Sequence, residues 1–147
     1  MLDKLQSIAP DAFERLCQRV LRESGFIQVE VSERSGDGGI DGKGVVKLGD
    51  LLSFHVHFQC KRYSGSVPSS VVRDFRGAMV GRADKGLIIT TGRFTRDAQT
   101  EAQRDGAPPL DLVDGEALAT MLKTLGLGVT TELVESVKVD TQWFDGL

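Results

Sequence analysis

The sequence predicts a mixed α/β fold in which helices cover both faces of a sheet that contains parallel and antiparallel strands. Three observations indicate this: an amphipathic helix comes first, three closely spaced strands follow, and helices and strands then alternate. The short connections predict that the first three strands form an antiparallel meander. Helices separate the later strands, which predicts a mixed sheet and the element order α-β-β-β-α-β-α-β-α.

The first predicted helix spans residues 7–24. An apolar stripe with helical spacing consists of Phe13, Leu16, Cys17, Val20 and Leu21. Pro10 suits the first turn of a helix, and Gly25 is a typical helix end. Glu14 lies one residue off the stripe, so its carboxylate is either solvated or directed at a functional site.

Three strands are predicted next, and the third carries two different faces. The strands are expected over residues 26–31, 40–46 and 51–61. A loop with three glycines is expected over residues 33–39, and Gly42 and Gly44 in the second strand indicate a bend or the close approach of a neighbour. Alternation in the third strand predicts an apolar face of Phe54, Val56, Phe58 and Cys60 and a polar face of His55, His57, Gln59 and Lys61.

The second half of the chain predicts helices that alternate with short strands. Helices are expected over residues 69–80, 96–104 and from 115 to near 126, and strands over residues 86–91 and 110–113. Residues 1–126 are expected to form one domain. Residues 127–147 form a tail that is expected to dock on this domain through Trp143 and Phe144, with residues 131–139 adding a helical turn or an edge strand.

Length and composition restrict the class of protein. The 147 residues, of which 40% are hydrophobic and 27% charged, fit one globular domain with a core. The net charge of −3 is unevenly distributed: residues 1–100 carry 15 Lys and Arg against 12 Asp and Glu, whereas residues 101–147 carry 3 against 9. The first hundred residues can therefore offer phosphates a positive surface.

The sequence indicates neither membrane insertion nor export. No apolar run approaches the roughly 18 residues that a membrane span needs, and the N-terminus lacks the pattern of a signal peptide, so a cytoplasmic location is expected. Cys17 and Cys60 occupy apolar positions, which predicts buried, reduced thiols. Two cysteines without neighbouring ligands make a poor zinc site.

The strongest candidate site combines Asp41, which follows a glycine-rich bend, with two residues of the third strand. Gln59 and Lys61 share a strand face about 6.5–7 Å apart, so both can meet one phosphate. Mg²⁺ takes hard oxygen ligands and keeps several waters. The candidate ligands are the Asp41 carboxylate, the Gln59 side-chain oxygen and the main-chain carbonyl of Cys60. Lys61 is expected to hold an attacking water or to stabilise charge on a phosphodiester.

Each of these residues also has an ordinary structural interpretation. Asp41 beside glycines can be a turn residue, and Gln59 and Lys61 can belong to a solvated strand face. His55 and His57 could bind a metal together, but without a third nearby ligand they are better interpreted as polar residues at the rim of the site. The side chains expected to contact DNA around the site are Arg34, Lys43, Arg62, Tyr63 and Arg93.

Taken together, these segments resemble the Mrr-type catalytic domain of the PD-(D/E)XK nuclease superfamily. The main matches are GDGGIDG at residues 36–42 and QCKRY at residues 59–63. Shorter matches follow the same order along the chain, at residues 13–14, 25–26, 90–91, 94–95 and 112–115. The resemblance covers about residues 9–125 and does not extend into the tail.

The resemblance implies a restriction-endonuclease-like, three-layer α-β-α fold and magnesium-dependent hydrolysis of DNA phosphodiesters, with Mn²⁺ as a substitute. It implies that Asp41 is the first metal-binding aspartate, that Gln59 replaces the second acidic residue and that Lys61 is the catalytic lysine. Glu14 corresponds to a helix glutamate that many such enzymes place near the metal. Restriction of foreign or modified DNA is the biological role that the resemblance implies.

The sequence departs from the family pattern in two ways. Gln59 is neutral where most of the superfamily carries an acid, so Glu14 or Asp37 is expected to contribute to metal binding. Mrr-like proteins often carry a separate DNA-recognition domain, for which this chain leaves no room. The expected partners are therefore DNA and a separate recognition domain or protein.

Two other functions are compatible with the sequence: a non-catalytic DNA-binding or assembly module, and a junction-resolvase-like nuclease. The combination of Asp41, Gln59 and Lys61 favours a nuclease, because a module freed from catalysis need not keep the three together. A resolvase, like an enzyme that cuts both strands, requires two sites and therefore a homodimer.

Overall fold

In the computed structural model, which describes residues 1–36 and 38–147, a mixed sheet lies between helices on its two faces. The strands are β1 (Phe26–Arg34), β2 (Ile40–Leu48), β3 (Leu52–Lys61), β4 (Ser66–Val67), β5 (Lys85–Thr90), β6 (Arg93–Phe94) and β7 (Leu110–Val113). The helices are α1 (Leu2–Ser7), α2 (Pro10–Glu23), α3 (Ser69–Met79), α4 (Arg96–Ala102), α5 (Gly115–Leu125) and α6 (Thr141–Asp145). Within the described residues, every helix is too short or too polar to span a bilayer.

The order of strands in the main sheet is β1-β2-β3-β5-β7. The first three strands pair antiparallel, and β5 pairs in parallel with both β3 and β7. The short strands β4 and β6 form a separate parallel pair. The predicted meander, the mixed sheet and the helices on both faces are thus confirmed.

Two apolar clusters hold the layers together. One lies under α2 and α5 and contains Phe13, Cys17, Val20, Leu21, Ile40, Phe58, Cys60, Ile89, Leu118 and Leu122. The other lies under α3 and α4 and contains Val67, Val72, Phe75, Met79, Ile88, Phe94, Ala98, Ala102 and Leu110. Ile88 and Ile89 are adjacent in β5 and enter opposite clusters, as side chains of a strand covered on both faces must. The buried thiols of Cys17 and Cys60 are both free, as predicted.

The first predicted helix, over residues 7–24, begins later, at Pro10, and a separate helix α1 precedes it. Ile8 and Ala9 have extended backbone between α1 and α2. Proline disfavours the helical conformation in the residue before it, so Ala9 leaves the helix and Pro10 begins the next one. The prediction placed Pro10 correctly in a first turn but missed the separate helix before it.

Two other parts of the chain differ clearly from the prediction, the end of β1 and residues 131–139. β1 continues to Arg34, so Glu33 lies in the strand and not in the loop. Residues 131–139 form neither the expected helical turn nor an edge strand, and α6 follows them instead. Trp143 and Phe144 pack edge to face on each other and remain 60% and 58% exposed. Docking of residues 127–147 on the domain stays a prediction.

Candidate active site

Asp41 and Gln59 face each other across the β2–β3 hairpin. They are direct partners in its antiparallel register, and side chains at such positions lie about 5 Å apart on one face of a sheet. Lys61 follows Gln59 by two residues on the same face. A cleft of about 360 Å³ opens here, lined by Glu33, Arg34, Ser35, Gly39, Ile40, Asp41, Gln59, Cys60 and Lys61.

A tight turn delivers the chain to Asp41. The main-chain N–H of Ser35 donates to the Gly39 carbonyl at 2.8 Å, and that of Gly38 donates to the Ser35 carbonyl at 3.2 Å. Gly38 has a φ of 92° and lies against the main chain of Pro10, so a side chain there would be strained and would clash. This glycine therefore fixes the loop against the start of α2. Asp37 lies outside the described residues.

The Asp41 carboxyl occupies a half-buried, electrostatically unfavourable position. Burial raises the pKa of Asp41, and the nearby Glu33 carboxylate raises it further, whereas the Gln59 amide and His57 act in the opposite direction. Oδ1 of Asp41 and Oε1 of Gln59 are buried, and neither has a hydrogen-bond partner among the described residues. Such unpaired buried acceptors are rare and costly unless an ion or water satisfies them.

These two oxygen atoms are of the kind that a hard divalent cation binds. A carboxylate oxygen and an amide oxygen are ligands that Mg²⁺ accepts, and Mg²⁺ fills its remaining positions with water. Cys60 also lines this cleft, and because its thiol is buried in the core on the other face of the strand, it offers the cleft main-chain atoms only. Within residues 1–36 and 38–147, no group of three or more His, Cys, Asp and Glu side chains forms a ready-made metal cluster. The site therefore fits a cation that retains several waters better than a fully protein-ligated one.

Glu14 reaches the site indirectly. Its carboxylate pairs with the guanidinium of Arg34, which lines the cleft. The pair joins α2 to the end of β1. The structure thus brings Asp41, Gln59, Lys61, Cys60 and Arg34 together around one cleft, with Glu14 behind Arg34.

A larger cleft of about 560 Å³ continues along the same face of the sheet and is lined by Lys43, His55, His57 and Arg82, among others. Lys43 pairs with Glu30 at 3.6 Å. The His57 ring packs against Phe75 with centroids 5.2 Å apart. Burial lowers the pKa of His57, Arg82 lowers it further, and Asp41 opposes both.

The remaining predicted DNA contacts lie on the segments after β3. Arg62 donates a hydrogen bond to the main-chain carbonyl of Ile8 and so ties this segment to the α1–α2 connection. The Tyr63 main chain donates to and accepts from the buried Thr91 hydroxyl, at 2.9 and 3.0 Å. Arg93 is exposed on β6. Contacts of these residues with DNA stay predictions.

Two charged residues that line the clefts, Glu33 and Arg82, were not predicted from the sequence. Glu33 is the β1 partner of Asp41, because the β1–β2 register shifts between Val31 and Glu33. Arg82 lines the larger cleft beside His57. The sequence pattern did not indicate either position, since residue spacing reveals neither a β-bulge nor where the loop after α3 lies in the fold.

Comparison with known proteins shows that the chain is similar to restriction endonucleases. Residues 5–122 match the model of the Mrr catalytic domain, described as a restriction endonuclease. The chain is 33% identical over 150 residues to the type IV methyl-directed restriction enzyme EcoKMrr of Escherichia coli strain K12, covering 99% of this chain and 48% of that protein. The solved structure of the DNA modification-dependent restriction endonuclease AspBHI matches with a TM-score of 0.70 and 20% identity, over 86% of this chain and 35% of that one. The chain thus spans about half the length, or less, of these relatives.

Proposed function

We propose that this chain, which belongs to the restriction endonuclease family with Mrr-type catalytic domains, is a metal-dependent endonuclease that hydrolyses phosphodiester bonds of DNA. One observation carries the proposal. Buried oxygens of Asp41 and Gln59, which have no hydrogen-bond partner within the described residues, lie opposite each other on a cleft that Lys61 also lines. Oxygen ligands for a hard cation beside a primary ammonium group suit metal-dependent hydrolysis of a phosphodiester.

The residues have distinct roles in this proposal. The Asp41 carboxylate, the Gln59 oxygen and the Cys60 carbonyl hold a divalent cation, Mg²⁺ or in its place Mn²⁺, which polarises a phosphoryl oxygen and lowers the pKa of water. The Lys61 ammonium group orients the attacking water and stabilises the negative charge that develops on the phosphate. Glu14 acts from behind the cleft by holding Arg34 at its rim.

The proposed target is foreign or modified DNA. EcoKMrr is described as methyl-directed and AspBHI as modification-dependent. Since the chain spans about half of EcoKMrr, we propose that another domain or protein recognises the target. Cutting both strands requires two copies of the site, so a homodimer on DNA is part of the proposal, as is a cytoplasmic location.

The cleavage reaction tests the proposed function directly. Supercoiled plasmid, methylated or unmethylated, is incubated with the protein and Mg²⁺ or Mn²⁺, beside the Lys61→Ala variant. We expect metal-dependent nicking or linearisation by the parent and a loss of about 10²-fold or more in the variant, because the charge on the phosphate is no longer stabilised. A folded parent that binds DNA but never cuts it would favour the binding module, and preferential cutting of branched DNA would favour a resolvase.

The proposed phosphate contacts are tested by the salt dependence of DNA binding. Replacing Lys43 or Arg93 by alanine should each reduce the slope of log K against log salt by about 0.9, because one phosphate contact is lost. Binding is measured by fluorescence anisotropy without metal. Arg19→Ala is the matched control, since Arg19 pairs with Glu23 on the exposed side of α2. Equal slopes for all four proteins would contradict the proposed contact surface.

A further inference from the structure

We propose that Glu33 supplies the second carboxylate of the metal site and so replaces the negative charge that the neutral Gln59 does not provide. This inference rests on the proposed function, because it concerns the cation of the same cleft. It adds Glu33 of β1, a residue that neither the sequence motifs nor the resemblance identified.

The backbone register brings Glu33 to the site. Val31 pairs with Gly42 and Glu33 pairs with Asp41. Between these two pairs β1 advances by two residues and β2 by one, so the register shifts by one residue. This shift turns Glu33 onto the same sheet face as Asp41, and without it Glu33 would share the face of Val31. Register pairs join Glu33 to Asp41 and Asp41 to Gln59 across three strands. All three side chains line the same cleft.

Glu33 also lacks the usual compensation of a surface carboxylate. Among the residues that the structure describes, Glu33 forms no ion pair, although Arg34 is its neighbour in sequence. Arg34 instead pairs with Glu14. Glu33 is therefore left beside a second carboxylate, that of Asp41, and two adjacent carboxylates repel each other unless a cation or a shared proton lies between them.

An exposed glutamate at a strand end is usually only a solvated charge. Here a second observation points to a ligand: the oxygens of Asp41 and Gln59 beside it are buried and unpartnered within the described residues. One cation contacting both carboxylates and the Gln59 oxygen would satisfy these atoms and remove the repulsion. Two carboxylates, one amide oxygen and several waters is a ligand set that suits Mg²⁺ or Mn²⁺. The exposure of Glu33 keeps the remaining positions open to water and phosphate.

The test measures metal binding without DNA and without turnover. The parent, Glu33→Gln, Glu30→Gln and Asp41→Asn are titrated with Mn²⁺ by isothermal calorimetry, and their thermal unfolding is followed with and without Mn²⁺. Glu33→Gln should weaken Mn²⁺ binding about tenfold or more and reduce the metal-dependent rise in unfolding temperature. Glu30→Gln should change the affinity less than about twofold, because Glu30 is paired with Lys43 and lies outside the Asp41 cleft.

The outcomes separate this inference from the proposed function. Parent-like affinity in Glu33→Gln, together with lost binding in Asp41→Asn, would overturn the role of Glu33 and leave the metal-dependent nuclease intact. Equal weakening by Glu33→Gln and Glu30→Gln would also overturn it, because only the overall charge would then matter. A parent that neither binds Mn²⁺ nor cuts DNA would overturn both. Unfolding temperatures of the metal-free variants that equal or exceed that of the parent establish that the variants are folded.

Discussion

Replacing Asp41 by asparagine is expected to abolish divalent-metal binding and metal-dependent DNA cleavage while the chain keeps its fold. Asparagine preserves the shape of the side chain but offers a hard cation only one neutral oxygen. The affinity should fall more than about a hundredfold, since changes in groups that merely support a metal ligand already cost about 10–100-fold. Calorimetry with Mn²⁺ measures the binding, and plasmid nicking measures the reaction.

Without metal, the Asp41→Asn variant should be at least as stable as the parent at pH 7. The pKa of Asp41 is raised in the folded chain, chiefly by burial and further by Glu33. A carboxyl group with a raised folded-state pKa costs stability as the pH rises through that pKa, and costs none at low pH where both states are protonated. Replacing Asp41 by asparagine removes the charge and therefore this loss of stability. Thermal unfolding without metal measures the change in stability.

Asp50→Asn is the matched control for this prediction. Asp50 lies in the turn at the opposite end of the same β2–β3 hairpin and loses the same charge. It should bind Mn²⁺ and cut DNA as the parent does. An Asp41→Asn protein that keeps parental Mn²⁺ affinity would show that the cation, if bound, is held elsewhere. A clear loss of stability in metal-free Asp41→Asn would instead mean that Asp41 is mainly a structural residue.

The two faces of β3 could be predicted because burial makes them chemically different. Val56, Phe58 and Cys60 are 6%, 0% and 1% exposed, and Phe58 and Cys60 pack under α2 and α5, whereas Gln59 and Lys61 remain at the cleft. A period of two in the sequence is sufficient to assign such a strand. The ligand face of the site was therefore predictable, and so was the glycine-rich approach to Asp41.

Features that depend on contacts distant in sequence could not be predicted. The shift between Val31 and Glu33 follows from how β1 fits against β2, where a side chain on Gly42 would overlap the main chain of Glu30 and the ring of Phe58. The pairing of Glu14 with Arg34 joins residues that are 20 positions apart. Residue spacing within one segment gives no information about the register shift or about the Glu14–Arg34 pair. The position of Glu33 at the site was for that reason not predictable from the sequence.

A second large effect is expected away from the cleft, where Glu101→Gln should lower the free energy of unfolding by about 3 kcal/mol. Glu101 on α4 accepts from the Arg76 guanidinium of α3 at 2.8 Å, and the two side chains are only 13% and 6% exposed. Glutamine keeps the size of the side chain but leaves the buried Arg76 cation without its carboxylate. Denaturant unfolding followed by circular dichroism measures the loss.

The control for this effect is the same substitution in an exposed pair. Glu23 pairs with Arg19 at 3.0 Å on α2, with side-chain exposures of 45% and 59%. Glu23→Gln should cost at most about 0.5 kcal/mol, because solvent screens the pair. A similar small cost for Glu101→Gln would show that water reaches Arg76.

The loss in free energy of unfolding should also depend on which partner of the Arg76–Glu101 pair is replaced. Arg76→Met leaves Glu101 with a second cation, Arg104, at 3.5 Å, and Arg104 is 59% exposed. Glu101→Gln leaves Arg76 buried with a neutral partner, although Arg76 still donates to the Glu101 main-chain carbonyl. Arg76→Met should therefore cost less than Glu101→Gln. Replacing both residues, by Met and Leu, should recover most of the loss, because no buried charge then remains unpaired. The pair would thus fix how α3 and α4 pack together more than it adds net stability.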